Sequence, residues 1–369
     1  MTAPAAPNPA DPPEAPADRP ARRRLSLAPR TVTLLVASGA ALAAAAAMFS
    51  LPVPYVLETP GPTADTLGQQ DGQDLIQVDQ APSHEITGQL LLTTVGAYGS
   101  EPGSLSLVQL VKGYFKADEA LLPYDLLYPR DSTEEERQEQ SAEQMRSSQD
   151  TALAAALSHL GLDVAVVVDS ALTEAAQAAL REGDRLVAID GQATPDFAAL
   201  EQALAQVKPG DAVEVRVARA GREETVEVVT AGDPDSGQAM LGITVAFDYP
   251  VEVTFAVEDI GGPSAGSMLA LGIIDKLGPD DLAGGRVIAG TGTVDPAGAI
   301  GAIGGVRQKM IGARRDGAEI FLAPEANCDE VRGNVPPGLR VVKVASLDDA
   351  VAALAALRSS PSPDLPTCG

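Results

Sequence analysis

The sequence predicts a mixed α+β / α/β chain: one long apolar helix near the N-terminus, then folded parts of two textures, helices alternating with buried strands and a compact β-rich unit. Three observations carry this expectation. Thr31 to Leu51 holds no charged residue, Met145 to Leu160 is apolar at helical spacing, and from Val164 the chain changes to short strands separated by Gly and Asp turns. With 369 residues there is room for two folded domains, each with its own core, besides a tail and an anchor.

The first thirty residues are rich in Pro, Ala and charge without periodicity and read as a disordered tail, 1–30. The uncharged run 31–51 is 21 residues long, the length a helix needs to cross the hydrocarbon core of a bilayer. Arg19, Arg22, Arg23, Arg24 and Arg30 precede it and acidic residues follow, so the positive-inside rule leaves the tail in the cytoplasm and the rest outside. The expectation is a single-pass protein of the cell membrane with an extracytoplasmic bulk. A cleaved signal peptide is the alternative, since Ala43 and Ala45 suit a signal peptidase, but the run is longer than a typical signal core.

Composition narrows the partners. A formal charge of −25 repels phosphate backbones, and the few basic clusters have no aromatic residues between them, which argues against nucleic acid. With no Trp and only 3% aromatic residues, the core must be built from Ala, Val, Leu and Ile. Cys328 and Cys368 both follow the span, in a compartment where thiols tend to be oxidised, so a disulfide tying the C-terminal tail (359–369) to the domain is expected; two unpaired buried thiols are the alternative. These cysteines with His84 and His159 do not have the spacing of a structural zinc site, and no metal or cofactor is implied.

After the span, prolines in Leu51 to Pro62 forbid a continuing helix and suggest an extended exit strand, and Ile86 to Val95 reads as a buried strand. Ser132 and Glu135 have capping-box spacing and start a helix that continues through Leu153, Ala156, Leu157 and Leu160 on one face. These pieces make up 52–160. The following stretch holds the strand VAVVVDS, the helix EAAQAAL, the strand RLVAID, a helix around FAALEQALAQV, and the strands VEVRVAR and ETVEVV. It is a unit of about eighty residues, suited to one small domain.

This stretch resembles a PDZ domain of the bacterial protease type in its REGDRLVAIDGQ core, the helix after it and KPGDAVEVRVARAG. The resemblance implies a module, 161–236, that takes an extended peptide as an added strand, and hence a protein substrate or partner. The nearest candidate for a carboxylate-binding loop is Leu160-Gly161-Leu162. A small β domain without binding function is the bland reading.

In 237–358, a glycine-rich turn, Gly261-Gly262-Pro263-Ser264-Ala265-Gly266, opens the apolar segment SMLALGIIDKL. This places Ser264 at a helix N-terminus, where unpaired N–H groups near Gly262 and Ala265 favour a developing oxyanion. Taken alone, Pro-Ser before a helix is also ordinary capping. From Val306 to Ala313 a helical period puts Val306, Lys309, Met310 and Ala313 on one apolar face and turns Arg307, Gln308 and Arg314 elsewhere. A free lysine is neutral in only about one molecule in a few thousand at pH 7, so as a base Lys309 needs burial. Taken alone it is also a snorkelling surface lysine. Neither histidine lies in a recognisable motif, so a Ser-Lys pair is favoured over a Ser-His-Asp triad.

GGPSAG together with IAGTGTVDPAGAIGAIGGVRQKMIGARRDGAEIFLAP resembles the proteolytic domain of the Lon family, peptidase family S16, with MRSSQDTALAAAL as its first helix and ITGQLLLTTV as an early strand. The resemblance implies a serine endopeptidase with Ser264 as nucleophile, Lys309 as general base and Thr291 hydrogen-bonded near the lysine. It implies a Lon fold interrupted by the PDZ insertion, and a ring-forming homo-oligomer is plausible on the same ground. The anchor, PDZ insert and catalytic segments together resemble the YlbL-type PDZ Lon-like proteases of Gram-positive bacteria. Two departures stand out. The acidic residue that Lon proteins carry three places before the serine is here Gly261, and no G-x-x-x-x-G-K-[ST] phosphate loop occurs, so no ATP is expected. The expected function is ATP-independent hydrolysis of extracytoplasmic proteins; the alternative is a catalytically silent PDZ adaptor at the membrane.

Overall fold

The computed structural model describes residues 2, 28–49, 51–70, 72–79, 82–99, 104–128, 132–234, 236–257, 260–360 and 362–369. Most of the expected N-terminal tail therefore lies outside the described residues. Two compact units divide the chain at Leu51. The first contains helix α1, Pro29–Phe49, rich in Ala, Leu and Val, whose large side chains, Leu34, Leu35 and Leu42 among them, are exposed.

The second unit begins with β1 (Tyr55–Asp65) and β2 (Gln89–Tyr98), which pair antiparallel, followed by α2 (Leu107–Tyr114), β3 (Ala120–Pro123) and the long helix α3 (Glu134–His159). The capping box of α3 is formed one residue later than the sequence suggests. Thr133 accepts from the Glu136 N–H and Glu136 reaches back to the Thr133 N–H, because the Ser132 carbonyl and hydroxyl are engaged by the Arg137 guanidinium. An inserted antiparallel sheet comes next: β4 (Ala165–Ala171), helix α4 (Glu174–Ala179), β5 (Arg185–Ile189), helix α5 (Phe197–Leu204), β6 (Ala212–Arg219), β7 (Arg222–Val229) and β8 (Ile243–Asp248), in the order β7-β6-β5-β4-β8. The sheet reaches beyond residue 236, because β8 returns to pair with β4 from Ile243↔Ala171 to Asp248↔Ala165. In β6, Val213, Val215 and Val217 point into a core separate from that of the surrounding domain, while Glu214 and Arg216 face out, a period of two.

The chain then resumes the first sheet through α6 (Gly266–Leu277), β9 (Val287–Gly290), α7 (Val306–Arg315), β10 (Ile320–Pro324), β11 (Arg340–Val344) and α8 (Leu347–Ser359). The sheet order is β11-β10-β9-β2-β1-β3; β9 runs parallel to both β2 and β10, and β11 parallel to β10. Both faces are covered, and alternation distributes the side chains. Leu90, Leu92, Ile320, Leu322 and Val342 join one core with α3, α6 and α8, whereas Leu91, Phe321, Ala323 and Val341 join another with α7. Helix α6 is buried on every side, from Met268 and Leu269 to Ile273 and Ile274, with each such side chain contributing about 1.5–3 kcal/mol. A disulfide joins Cys328 to Cys368 and holds the C-terminal tail against the α7 face.

Candidate active site

The residues the sequence singles out for chemistry meet beyond the carboxyl end of β9. Ser264 lies in a 3-10 turn, Pro263–Ala265, that leads into α6 rather than on the α-helix itself. Gly262 has φ 86°, in the left-handed region that favours glycine, and so turns the chain for Pro263 to open the turn. Its N–H donates to the Ser141 carbonyl at 3.1 Å, which occupies Gly262 with fastening the turn to α3. Ser148 adds a second tie, its hydroxyl donating to the Pro263 carbonyl at 3.2 Å. From the other side, Thr291 directly after β9 donates its hydroxyl to the Ser264 carbonyl at 3.0 Å, and the Gly292 N–H donates to the same oxygen at 3.0 Å. Ala265 is buried beneath the turn.

Lys309 reaches this turn from α7. Its Nζ donates to Ser264 Oγ at 2.7 Å and to Thr291 Oγ1 at 3.0 Å. The lysine is 2% exposed, and that burial pushes its pKa down to about 8, against a smaller opposing pull from the Glu58 carboxylate. At pH 7 a group with that pKa is neutral in about one molecule in ten, against one in a few thousand for a free lysine. The apolar face read from the sequence holds for Val306, Lys309, Met310 and Ala313, but Gln308 is buried too, at 2% exposure, with its Nε2 lacking a partner. The period alone does not show that α7 is covered on this side as well.

Two further features were not read from the sequence. Glu58, 8% exposed in β1, is held on both sides by strand pairing to Ala97 and Ala120, and its Oε2 lies 3.5 Å from where a Cβ of Gly305 would stand, at the start of α7. Burial raises its carboxyl above the usual range, with Lys309 pulling the other way. A lone Glu between Leu57 and Thr59 gives no local signal, since its place beside Lys309 depends on strand pairing. At Gly261 a Cβ would fall 2.1 Å from Ser141 Oγ, so a carboxylate three places before Ser264 would have to displace α3's serine.

A groove of about 660 Å³ opens onto Ser264 and Lys309, lined by Thr63, Thr93, Val95 and Ile260 among others. Thr93 braces its floor by donating to the Gly290 carbonyl at 3.0 Å. A second groove of about 350 Å³ lies on the inserted domain between α5 and the edge strand β8, with Leu200, Leu204, Ile243 and Val245 in its wall. Gly242 stands at its head with φ 70°, its carbonyl accepting from the N–H groups of Leu172 and Thr173; an added Cβ would meet Thr173 at 2.5 Å. The loop ahead of this groove is thus Met240-Leu241-Gly242. Leu160-Gly161-Leu162 is instead the C-terminal cap of α3, Gly161 at φ 70° letting the Leu162 N–H reach the Leu157 carbonyl.

Comparison with known proteins finds both kinds of domain in the chain. Residues 256–356 match the family model of the Lon protease (S16) C-terminal proteolytic domain, and residues 118–230 match the PDZ domain model, which starts upstream of the inserted sheet. The Lon protease of Clostridioides difficile (strain 630) is 37% identical over 91 residues, 24% of this chain and 11% of that protein. Lon protease homolog 4, chloroplastic/mitochondrial, of Arabidopsis thaliana is 41% identical over 88 residues, 22% of this chain and 9% of that protein. The chain therefore spans about a tenth of the length of these relatives. Among solved structures, the PDZ domain of an SdrC-like protein from Listeria monocytogenes is 25% identical, covering 22% of this chain and 85% of that one at a TM-score of 0.21. The chain carries a PDZ domain and a Lon-type proteolytic domain in one mixed α/β fold.

Proposed function

We propose that this chain, in which a PDZ domain is set into a Lon-type proteolytic domain, is a membrane-anchored serine endopeptidase that works without ATP through the pair Ser264 and Lys309. The observation that carries the reading is the contact of 2.7 Å between a hydroxyl at the start of α6 and a lysine that burial brings to a pKa of about 8. Neutral Lys309 takes the proton of Ser264 as its Oγ attacks a peptide carbonyl; the tetrahedral oxyanion forms beside the N–H groups of the 3-10 turn around Ala265. Lys309, now an ammonium, returns its proton to the leaving amine as the carbon–nitrogen bond breaks, and water then hydrolyses the acyl-enzyme. Thr291 orients the lysine and fixes the turn with one hydroxyl, and the carboxylate of Glu58 favours the ammonium that forms.

The PDZ groove between α5 and β8 takes an extended peptide as a strand added to the free edge of β8, which delivers a protein substrate or partner. Helix α1 holds a 20-residue apolar stretch of mean hydropathy 1.9, which supports a single span, and the arginines that precede it support a catalytic unit outside. Independence from ATP is supported by the missing phosphate loop. Assembly into a homo-oligomer belongs to the same reading.

The test is cleavage of an unfolded protein by the purified full chain, at equal rates with and without ATP, and its loss in both Ser264→Ala and Lys309→Ala. Full activity in either variant sinks the proposal. Labelling of Ser264 by a serine-reactive phosphonate separates the protease from the silent adaptor, which would stay unlabelled.

A further inference from the structure

Besides Lys309, the only charged side chain lining the groove over Ser264, among the described residues, is Asp65, the last residue of β1. One oxygen of its carboxylate is occupied by the backbone: Oδ1 accepts from the N–H groups of Leu67 and Leu90, both at 3.1 Å. The other, Oδ2, accepts from the exposed Gln89 amide at 3.4 Å, near the outer limit of a hydrogen bond. Gly68 keeps the space beside Oδ2 open, since a Cβ there would stand 2.9 Å from it. Burial holds the Asp65 carboxyl above its usual range, although its hydrogen bonds and the charge of Lys276 pull the other way. Lys276 is itself engaged elsewhere, with the Ile76 carbonyl at 2.6 Å and Asp74 at 3.4 Å.

A second acceptor lines the same groove. Gln70, which pairs with Gln73 in a short hairpin, has its Oε1 buried without a partner among the described residues. A buried acceptor left unpaired costs free energy, and a donor brought in by a ligand recovers it. A carboxylate entering here would meet the charge of Asp65, whereas an ammonium or guanidinium carries donors for both acceptors. Leu75 and Ile260, in the same lining, offer apolar surface to the aliphatic stem of a Lys or Arg.

Strand pairing sets how far this place lies from the chemistry. Gly290, directly before Thr291 and its bond to the Ser264 carbonyl, accepts from Thr93 of β2. Thr93 pairs with Thr63, and Asp65 pairs with Leu91, two residues further along both strands. Two residues of strand measure about 7 Å, and an extended substrate advances by the same step.

We propose that Asp65 and Gln70 form a subsite for a basic side chain, so that the enzyme prefers protein segments carrying Lys or Arg about two residues from the bond it cuts. The inference rests on the Ser264–Lys309 protease reading and names the substrate class of that same groove. The formal charge of −25 on the whole chain draws cationic segments toward it, most strongly at low salt.

The test is cleavage by the full chain of internally quenched peptides of one neutral sequence, in which a single Lys, Leu or Glu is walked through the positions on both sides of the scissile bond. At one position about two residues from the cut, Lys is expected to raise kcat/KM about tenfold over Leu, and Glu to lower it. Asp65→Asn keeps an oxygen for the two backbone N–H groups and should bring the Lys-to-Leu ratio at that position to about one. A purely structural Asp65 would instead lower cleavage of both peptides alike and leave the ratio where it was. Gln70→Lys, which places a cation in the subsite from a different element, is expected to turn the ratio below one. Lys no better than Leu at every position, in peptides that are cut and whose cutting is lost in Ser264→Ala, overturns the subsite and leaves the protease reading standing. A ratio unchanged in both Asp65→Asn and Gln70→Lys overturns it too. Absence of cleavage of every peptide and of an unfolded protein overturns the protease reading, and the subsite with it.

Discussion

Two lysines are almost equally buried in this molecule, Lys309 at 2% exposure and Lys276 at 4%, and their surroundings prepare them for opposite work. Lys276, at the end of α6, donates to the Ile76 carbonyl at 2.6 Å and lies 3.4 Å from the Asp74 carboxylate. Both partners can only accept, so neither can donate to an amine. Lys309 is given two hydroxyls: Ser264, which can accept from an ammonium or donate to an amine, and Thr291, which gives its own proton to the Ser264 carbonyl and accepts from the lysine in either state. Its countercharge, Glu58, perturbs it less than burial does. Burial alone thus does not make a lysine a base. The partners must also be able to bond to both of its protonation states.

The largest effect should separate the two sites by activity. Lys309→Met is expected to lower kcat by at least about a thousandfold, as removal of the acid–base partner of a nucleophile does, while Lys276→Met keeps kcat within about threefold. Peptidase assays on both variants check this, and comparable losses would erase the contrast.

The second effect is in pH. With Lys309 at about 8, kcat/KM should rise with pH and level off above that value, since only the neutral amine accepts the serine proton. The Glu58 carboxylate raises the Lys309 pKa against burial, so Glu58→Gln is expected to move this acid limb to lower pH and to lower the plateau about tenfold. A limb that stays in place while the plateau falls would reduce Glu58 to a packing role.

The smallest effect is in stability, and there the signs differ. Because the folded pKa of Lys309 lies below its unfolded value of 10.5, the unfolded chain binds the proton more tightly. Stability therefore rises with pH between about 8 and 10.5, and below that window Lys309 costs about 3 kcal/mol. Lys309→Met removes this cost and loses two hydrogen bonds of about 1 kcal/mol each, leaving a net gain of about 1 kcal/mol at pH 7 that turns into a net loss above about pH 9. Lys276→Met should lose about 2 kcal/mol, since it strands the Ile76 carbonyl. Urea titrations at pH 7 and pH 11 measure both signs.

The amino-acid sequence by itself pointed to the elements and to Ser264 and Lys309 as the candidate pair. Ser264 announces itself through the glycines and proline around it, Lys309 through its place on an apolar helical face, and β6 through alternating valines, because each signal is written within a few residues of chain. Tertiary structure alone decided whatever depends on which segments meet. It brought Glu58 from β1 to the Lys309 helix, buried Gln308, and closed the inserted sheet with β8, more than seventy residues after β4, so that the groove beside α5 begins at Gly242 and not at the end of α3. Local chemistry fixes what each residue can do, but the strength of a base is set by the water that distant segments exclude and the charges they bring.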